Sequence, residues 1–229
     1  MEITLLHHTP LNVCSHAIRT CWQSFDKSDN GGEKDKELID RVGNKLKHAS
    51  TLEHLVYSFY IQGISRACLQ ELARHRIASM SVKSTRYTLK ELKEEEPFIS
   101  ECFDIKGWLK KDNTASGYMC VKRAKKYIVF TGNETIDYQN VIMLEFLRQR
   151  LNENISNDIA KYALPECYKT ELTWTINARS LQNFLELRSS KSALWEIRDL
   201  AHEIYNAIPD EHKYLFKDYL KQDSSEDVD

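Results

Sequence analysis

At 229 residues, with 32 Lys and Arg against 34 Asp and Glu and a net charge of -2, the chain has no global positive field to gather nucleic acid or an anionic membrane. Its length suits one domain with a sizeable core. Six cysteines, widely spaced and without a C-x-x-C pair, argue against a disulfide framework or a zinc ribbon and for reduced thiols in a cytosolic setting.

In chain order, Met1-Glu2-Ile3-Thr4 lacks the basic region and apolar run of a signal peptide, and no stretch approaches ~20 apolar residues; a soluble, cytoplasmic protein is expected. Cys14, Ala17, Ile18, Cys21 and Trp22 recur at helical spacing. Asp26 to Lys36, holding Asn30-Gly31-Gly32, reads as a loop, and Leu38, Ile39, Val42 and Leu46 predict a second helix. Alternation over Leu55, Tyr57, Phe59 and Ile61 predicts a half-buried strand, followed by a helix on Cys68, Leu69, Leu72 and Ala73. Residues 91 to 116 open on the charge-rich Glu91 to Glu96, which resembles a solvated surface, and Pro97 and Pro165 mark breaks.

Further helices are predicted at Tyr118, Val121, Ala124 and Ile128, at Val141 to Leu151, at Leu181 to Leu187 and at Leu194 to Ile208. A second strand is predicted by Thr170, Leu172, Trp174 and Ile176. No repeat or long linker divides the chain. Residues 1–221 are therefore expected to form one helix-rich α+β domain with an antiparallel sheet, and residues 222–229 a disordered acidic tail.

The densest chemistry lies in Arg74-His75-Arg76, followed after seven residues by Ser84-Thr85-Arg86-Tyr87. Arginine forks match phosphate oxygens, and a serine with nearby backbone N–H groups can complete such a cradle. On an unbroken helix Arg74 and Arg76 would point about 200° apart, so either the helix stops there or two ligands are held. The bland alternative is an exposed basic turn with a Glu71–Arg74 surface pair. His48 and His54, six apart, lack the spacing of a zinc site, and no metal is expected. Asn177 is placed to cap a helix whose N-terminus offers free N–H groups. Arg179 and Asn183 share a face of that helix, whereas Arg188, nine residues past Arg179, would face a different pocket on a continuous helix. A helix-terminal arginine answering the dipole is the bland reading of Arg188.

Arg-His-Arg, seven residues and Ser, together with Arg19 to Phe25, His48 to His54, and Asn177 to Asn183 with Arg188, resembles the flavin-dependent thymidylate synthases over most of residues 10 to 208. The resemblance implies that family's α+β fold and FAD held by Ser24, His48, Ser50, Arg74, His75, Arg76, Ile77, Asn177, Arg179 and Asn183, with Glu53 as a supporting acceptor. It implies dUMP held by Glu71, Arg74, Ser84, Thr85, Arg86, Lys161 and Arg188, with Arg188 polarising or ionising the uracil. Methylenetetrahydrofolate as carbon donor, NADPH as reductant and a homotetramer with sites at subunit contacts are implied as well.

Three positions depart from the usual family pattern. Lys161 stands where Arg is common, turning a bidentate clamp into a point charge. Val82 stands where Glu is common, and Ser192 where some members carry His. Ala163-Leu164-Pro165-Glu166-Cys167 is similar to the Pro-Cys context of the unrelated cysteine-dependent synthases, but that fold's other motifs are absent and Cys167 is expected to be inert.

The expected activity is reductive methylation of dUMP to dTMP. A cation at the O2/N3 edge of uracil stabilises charge that develops in the ring, and a flavin supplies the hydride that no side chain can. Two rival readings are a nucleotide-binding protein that has lost the redox step and a nucleic-acid-binding module using the Arg74 to Arg86 basic motif; the net charge counts against the latter.

Overall fold

The computed structural model describes residues 1–99 and 115–221. In chain order these form β1 (Glu2–His8), α1 (Leu11–Thr20), α2 (Glu33–Ile39), β2 (Val56–Ser65), α3 (Arg66–Leu72), β3 (Ala78–Val82), α4 (Lys90–Glu94), α5 (Ala115–Tyr127), α6 (Glu134–Asn152), α7 (Asn157–Ala160), β4 (Lys169–Asn177), α8 (Ala178–Arg188) and α9 (Trp195–Ala207), with short 3-10 turns between them. The strands make a four-stranded antiparallel sheet in the order β1-β2-β4-β3, so the α+β expectation holds. The chain divides into two compact units. One comprises Met1–Gln62, Gln70–Ser81 and the segment from Leu172 onward; the other comprises Gly63–Leu69 and Val82–Glu171.

In the first unit the two predicted strands alternate as their sequences require, because every second side chain of a strand points to the same face. Leu55, Tyr57, Phe59 and Ile61 are fully buried, as are Leu172, Trp174 and Ile176. Phe59 meets Trp174 at 6.3 Å between ring centroids, and Trp174 meets Phe184 of α8 edge-on at 5.1 Å.

Two strands lie outside the sequence-based expectation. β1 pairs antiparallel with β2, from Glu2 opposite Gln62 to His8 opposite Tyr57, but a bulge between Leu5 and His7 leaves Leu6 as an extra, exposed residue. That insertion breaks the period of two by which a strand is recognised. β3 spans only five residues at the other edge of the sheet, and its small side chains carry little pattern.

The helix predicted through Trp22 ends at Thr20, which leaves Trp22 82% exposed rather than on the core face. The loop expected through Lys36 ends at Gly32. Gly32 has no side chain to cap α2, and the Asp29 carboxylate instead accepts from the backbone N–H groups of Lys34 (2.8 Å) and Asp35 (3.1 Å). Past Ile39 the helix widens into a π turn over Asp40–Lys45, where Leu46 N–H donates to the Arg41 carbonyl at 2.9 Å. The wider turn shifts the register, and Leu46 is exposed instead of joining the apolar stripe. Gly43 lies against Leu52 so closely that an added Cβ would stand 2.7 Å from its Cδ2 atom.

The second unit has its own core. α6 contributes Val141, Leu144, Leu147 and Leu151, packed with Leu92, Phe98, Ala124, Tyr127, Ile128 and Tyr168. The Glu91 to Glu96 segment is thus only partly a solvated surface, since α4 forms within it and buries Leu92. The remainder of the 91 to 116 segment and the 222–229 tail fall largely or wholly outside the described residues.

One buried polar network fixes the start of the chain. Asp35, fully buried, accepts from Arg19 Nε (3.1 Å) and Nη2, Ser28 Oγ (2.7 Å), Ser15 Oγ (2.8 Å) and Gly31 N–H (2.9 Å), while Arg19 Nη1 donates to the Ser24 carbonyl at 3.2 Å. Burial alone would raise the carboxyl's pKa, but the bonds from Arg19, Ser28, Gly31 and Ser15 outweigh it and hold the group at about 2. Asp35 → Ala strands a buried guanidinium and is expected to cost about 3–5 kcal/mol in urea unfolding at pH 7; a loss under about 1 kcal/mol would show the pair to be dispensable. The depressed pKa makes this contribution complete above the ordinary value of 3.8 and lost as pH falls toward about 2, so the gap between wild type and Asp35 → Asn should narrow over that window.

Candidate functional site

α3 stops at Leu72, and the chain leaves it through a turn in which Arg74 N–H donates to the Glu71 carbonyl and His75 N–H to the Leu72 carbonyl. Of the two alternatives for Arg74-His75-Arg76, the helix ends. Freed from helical geometry, Arg74, His75, Arg76 and Ile77 all line one cavity of about 580 Å³ in the first unit. Its other walls are Glu53 and, from α8, Arg179, Ser180, Asn183, Leu187 and Arg188.

Arg179 and Arg188 therefore share a pocket, contrary to the expectation of separate ones. The lining residues of α8 span an arc of about 180° centred between Leu187 and Ser180, and the two arginines mark its flanks. Both side chains are long enough to reach inward from those flanks. Asn177 caps α8 as expected, its side-chain oxygen accepting from Ser180 N–H at 2.9 Å.

Arg188 is the most tightly held cation here, its side chain 15% exposed against 70% for Arg74. Its Nη1 donates to Glu71 Oε2 at 2.8 Å, its Nη2 to the Glu71 carbonyl at 3.4 Å, and its Nε to His75 Nε2 at 3.0 Å. Of the five N–H donors of a guanidinium, two remain for a ligand. Glu71 also accepts from Arg74 at 3.2 Å, so the anticipated surface pair exists but is shared with Arg188.

Accepting from Arg188 requires His75 to be neutral with its proton on Nδ1. The environment enforces this: burial, then the charges of Arg188 and Arg74, push its pKa down to about 4. Its ring is braced edge-on by Phe184 at 5.0 Å. Sequence reading missed the positioning of Arg188 by Glu71 and His75, 117 and 113 residues away along the chain.

Across the cavity Arg179 pairs with Glu53 at 2.7 Å. Glu53 belongs to the 3-10 turn Ala49–His54, which packs against α8 and carries Ser50, with His48 at its start. His48 and Ser50 are exposed, and neither they nor Ser24 and Asn177 line the cavity. Four arginines line the cavity against the Glu53 carboxylate, with Glu71 bonded to two of them, so positive charge is in excess there, and the exposed Ile77 and Leu187 add apolar surface.

The remaining predicted residues lie in the second unit. There Arg86 grips Asp158 side-on, Nε to Oδ1 at 2.6 Å and Nη2 to Oδ2 at 3.1 Å, and Lys161 is close enough for its charge to act on the same carboxylate. The Ser84 carbonyl accepts from Thr88 Oγ1 and Tyr87 N–H, and Thr85 sits half-buried beside Arg86. The residues expected to hold the nucleotide thus divide between the units, with Glu71, Arg74 and Arg188 in one and Ser84, Thr85, Arg86 and Lys161 in the other. Cys167 packs against the second unit's core. Among the described residues no helix is long and apolar enough to cross a membrane.

The model of the family described as thymidylate synthase complementing protein matches residues 4–212. A flavin-dependent thymidylate synthase of Wolinella succinogenes is 66% identical over 216 residues, covering 94% of this chain and 97% of the relative. One from Campylobacter jejuni is 63% identical over 223 residues, covering 97% and 99%. A crystal structure of thymidylate synthase X from Helicobacter pylori with FAD and dUMP superposes with a TM-score of 0.86 at 56% identity, covering 97% of this chain and 100% of that one. The chain belongs to this family, the flavin-dependent thymidylate synthases.

The neutral state of His75 is directly observable. Imidazole 15N NMR should show Nδ1 protonated at pH 7 and a titration near 4; a midpoint at the ordinary 6.5 would overturn the arrangement. Because the unfolded chain takes up this proton first, the stability His75 confers is full above about pH 6.5 and lost as pH falls to about 4.

Proposed function

We propose that the chain, like the family to which it belongs, methylates dUMP reductively to dTMP with FAD as its cofactor, methylenetetrahydrofolate as carbon donor and NADPH as reductant. The observation that carries this reading is Arg188, clamped by Glu71 and His75 in an arginine-lined cavity with two N–H donors to spare.

The cavity's chemistry fits a flavin dinucleotide: the forks of Arg76 and Arg179 suit a pyrophosphate, Asn183 and Ser180 suit polar ring edges, and Ile77 and Leu187 suit a flat apolar face. Ser24, His48, Ser50, Arg74, His75 and Asn177 complete the proposed cofactor set. When bound, reduced FAD supplies the hydride that completes the methyl group.

The protein's own part is electrostatic and positional. Arg188 presents its free N–H groups to the O2/N3 edge of the uracil, where negative charge develops as C5 becomes nucleophilic. Neutral His75 and anionic Glu71 fix the direction of that fork, so its orientation is set before the substrate arrives. A protonated His75 would repel Arg188 instead of accepting from it, which explains the value of its depressed pKa. Ser84, Thr85, Arg86 and Lys161 hold the phosphate. Cys167 takes no covalent role.

In this reading residues 1–221 act as one catalytic domain, in the cytoplasm, and the active assembly is a homotetramer whose sites draw residues from several protomers.

Purified protein should be yellow, with a flavin spectrum bleached by NADPH, and should form dTMP when all cosubstrates are present. Arg188 → Ala should keep its flavin and lose roughly 10²–10³ in turnover, Arg76 → Ala should lose flavin, and Cys167 → Ala should retain most activity. Loss of flavin from the Arg188 variant, with Arg76 → Ala still yellow, would reverse these assignments. Co-expression of Arg86 → Ala with Arg188 → Ala chains should recover activity that neither has alone; mixed assemblies that stay inactive would show each site to be built within one protomer.

A further inference from the structure

Asp158 has no role in the reaction described above, yet it occupies Arg86, the group assigned to the nucleotide's phosphate. Asp158 sits in the short helix α7, 72 residues from its partner, and meets Arg86 through both carboxylate oxygens. The backbone is pinned at the same place, with Asn157 Nδ2 donating to the Arg86 carbonyl at 2.8 Å. A carboxylate held by two parallel N–H bonds makes the same contacts as two oxygens of a phosphate.

We infer that Asp158 competes with the phosphate for the fork of Arg86 and thereby sets the affinity for the nucleotide, holding the guanidinium in place until a dianionic phosphate displaces the carboxylate. The inference rests on the reading of Arg86 as a phosphate ligand. An incoming phosphate must either displace the carboxylate from the Nε–Nη2 edge or take the remaining edge beside a like charge, and both weaken its binding.

Magnitude decides whether such exchange is feasible. Both side chains are 54% exposed, and exposed pairs contribute little net stability, so the carboxylate can give way to a doubly charged ligand at small cost. Lys161, whose charge also acts on Asp158, is a compact cation on a flexible stem. It can follow the carboxylate or turn to the phosphate, which a rigid arginine fork at that position would do less readily.

The test is calorimetric titration of the FAD-loaded protein with dUMP and with deoxyuridine, which lacks the phosphate. Asp158 → Asn should bind dUMP about three- to tenfold more tightly than wild type and deoxyuridine equally well, and the gain should vanish on an Arg86 → Ala background. Asp158 → Ala, with melting temperature and flavin absorbance as checks on folding, should show the same direction. If Arg86 → Ala weakens dUMP binding but both Asp158 variants bind it no better than wild type, the competition is refuted while the phosphate assignment stands. If Arg86 → Ala leaves dUMP affinity unchanged, the assignment fails and the inference falls with it.

Discussion

The site depends on one three-way contact, in which Arg188 is held at once by the carboxylate of Glu71 and the neutral ring of His75. It joins the end of α8 to the turn after α3. A helix continued through Arg76 would carry His75 off the line that Arg188 and Phe184 require. Burial of the ring and, after it, the charge of Arg188 hold His75 neutral, and a cation bonded to Nε2 leaves its proton on Nδ1. Geometry and electrostatics therefore act together: the turn brings the histidine, the histidine aims the arginine, and burial with the arginine's charge keeps the histidine neutral.

Behind that contact stands the aromatic series Phe59, Trp174, Phe184 and His75, which leads from the buried face of the sheet to the cavity wall. Close-packed rings have few alternative arrangements, so the position of the imidazole is fixed by the core and not by the surface turn that bears it. The basic side chains farther out, such as Arg74 and Arg179, are exposed and paired with single carboxylates, which leaves them free to adapt to a ligand.

Much of this was legible in the sequence, and the exceptions have physical causes. β2 and β4 were readable because both alternate without interruption, whereas the bulge at Leu6 disguised β1. Asn177 was readable as a cap because its role is local. The end of α3 was not, since no glycine or proline follows Leu72 and Ala73 favours a helix; the contacts of His75 beyond it are with Phe184 and Arg188, more than 100 residues away along the chain. Angular reasoning separated Arg179 from Arg188 by treating each as a direction, although a long side chain reaches round the helix it stands on. Asp158 carries no local signal, because its meaning comes from an arginine 72 residues away.

Gly43 shows how far such reach can extend. Its missing side chain lets Leu52 settle against the π turn, and the next residue along is Glu53, the partner of Arg179. A methyl group at position 43 would stand 2.7 Å from Leu52 Cδ2 and 2.9 Å from Cγ, so this fully buried side chain, one residue away from Glu53, would have to shift. The packing behind the turn that bears Glu53 thus depends on a residue with no side chain at all.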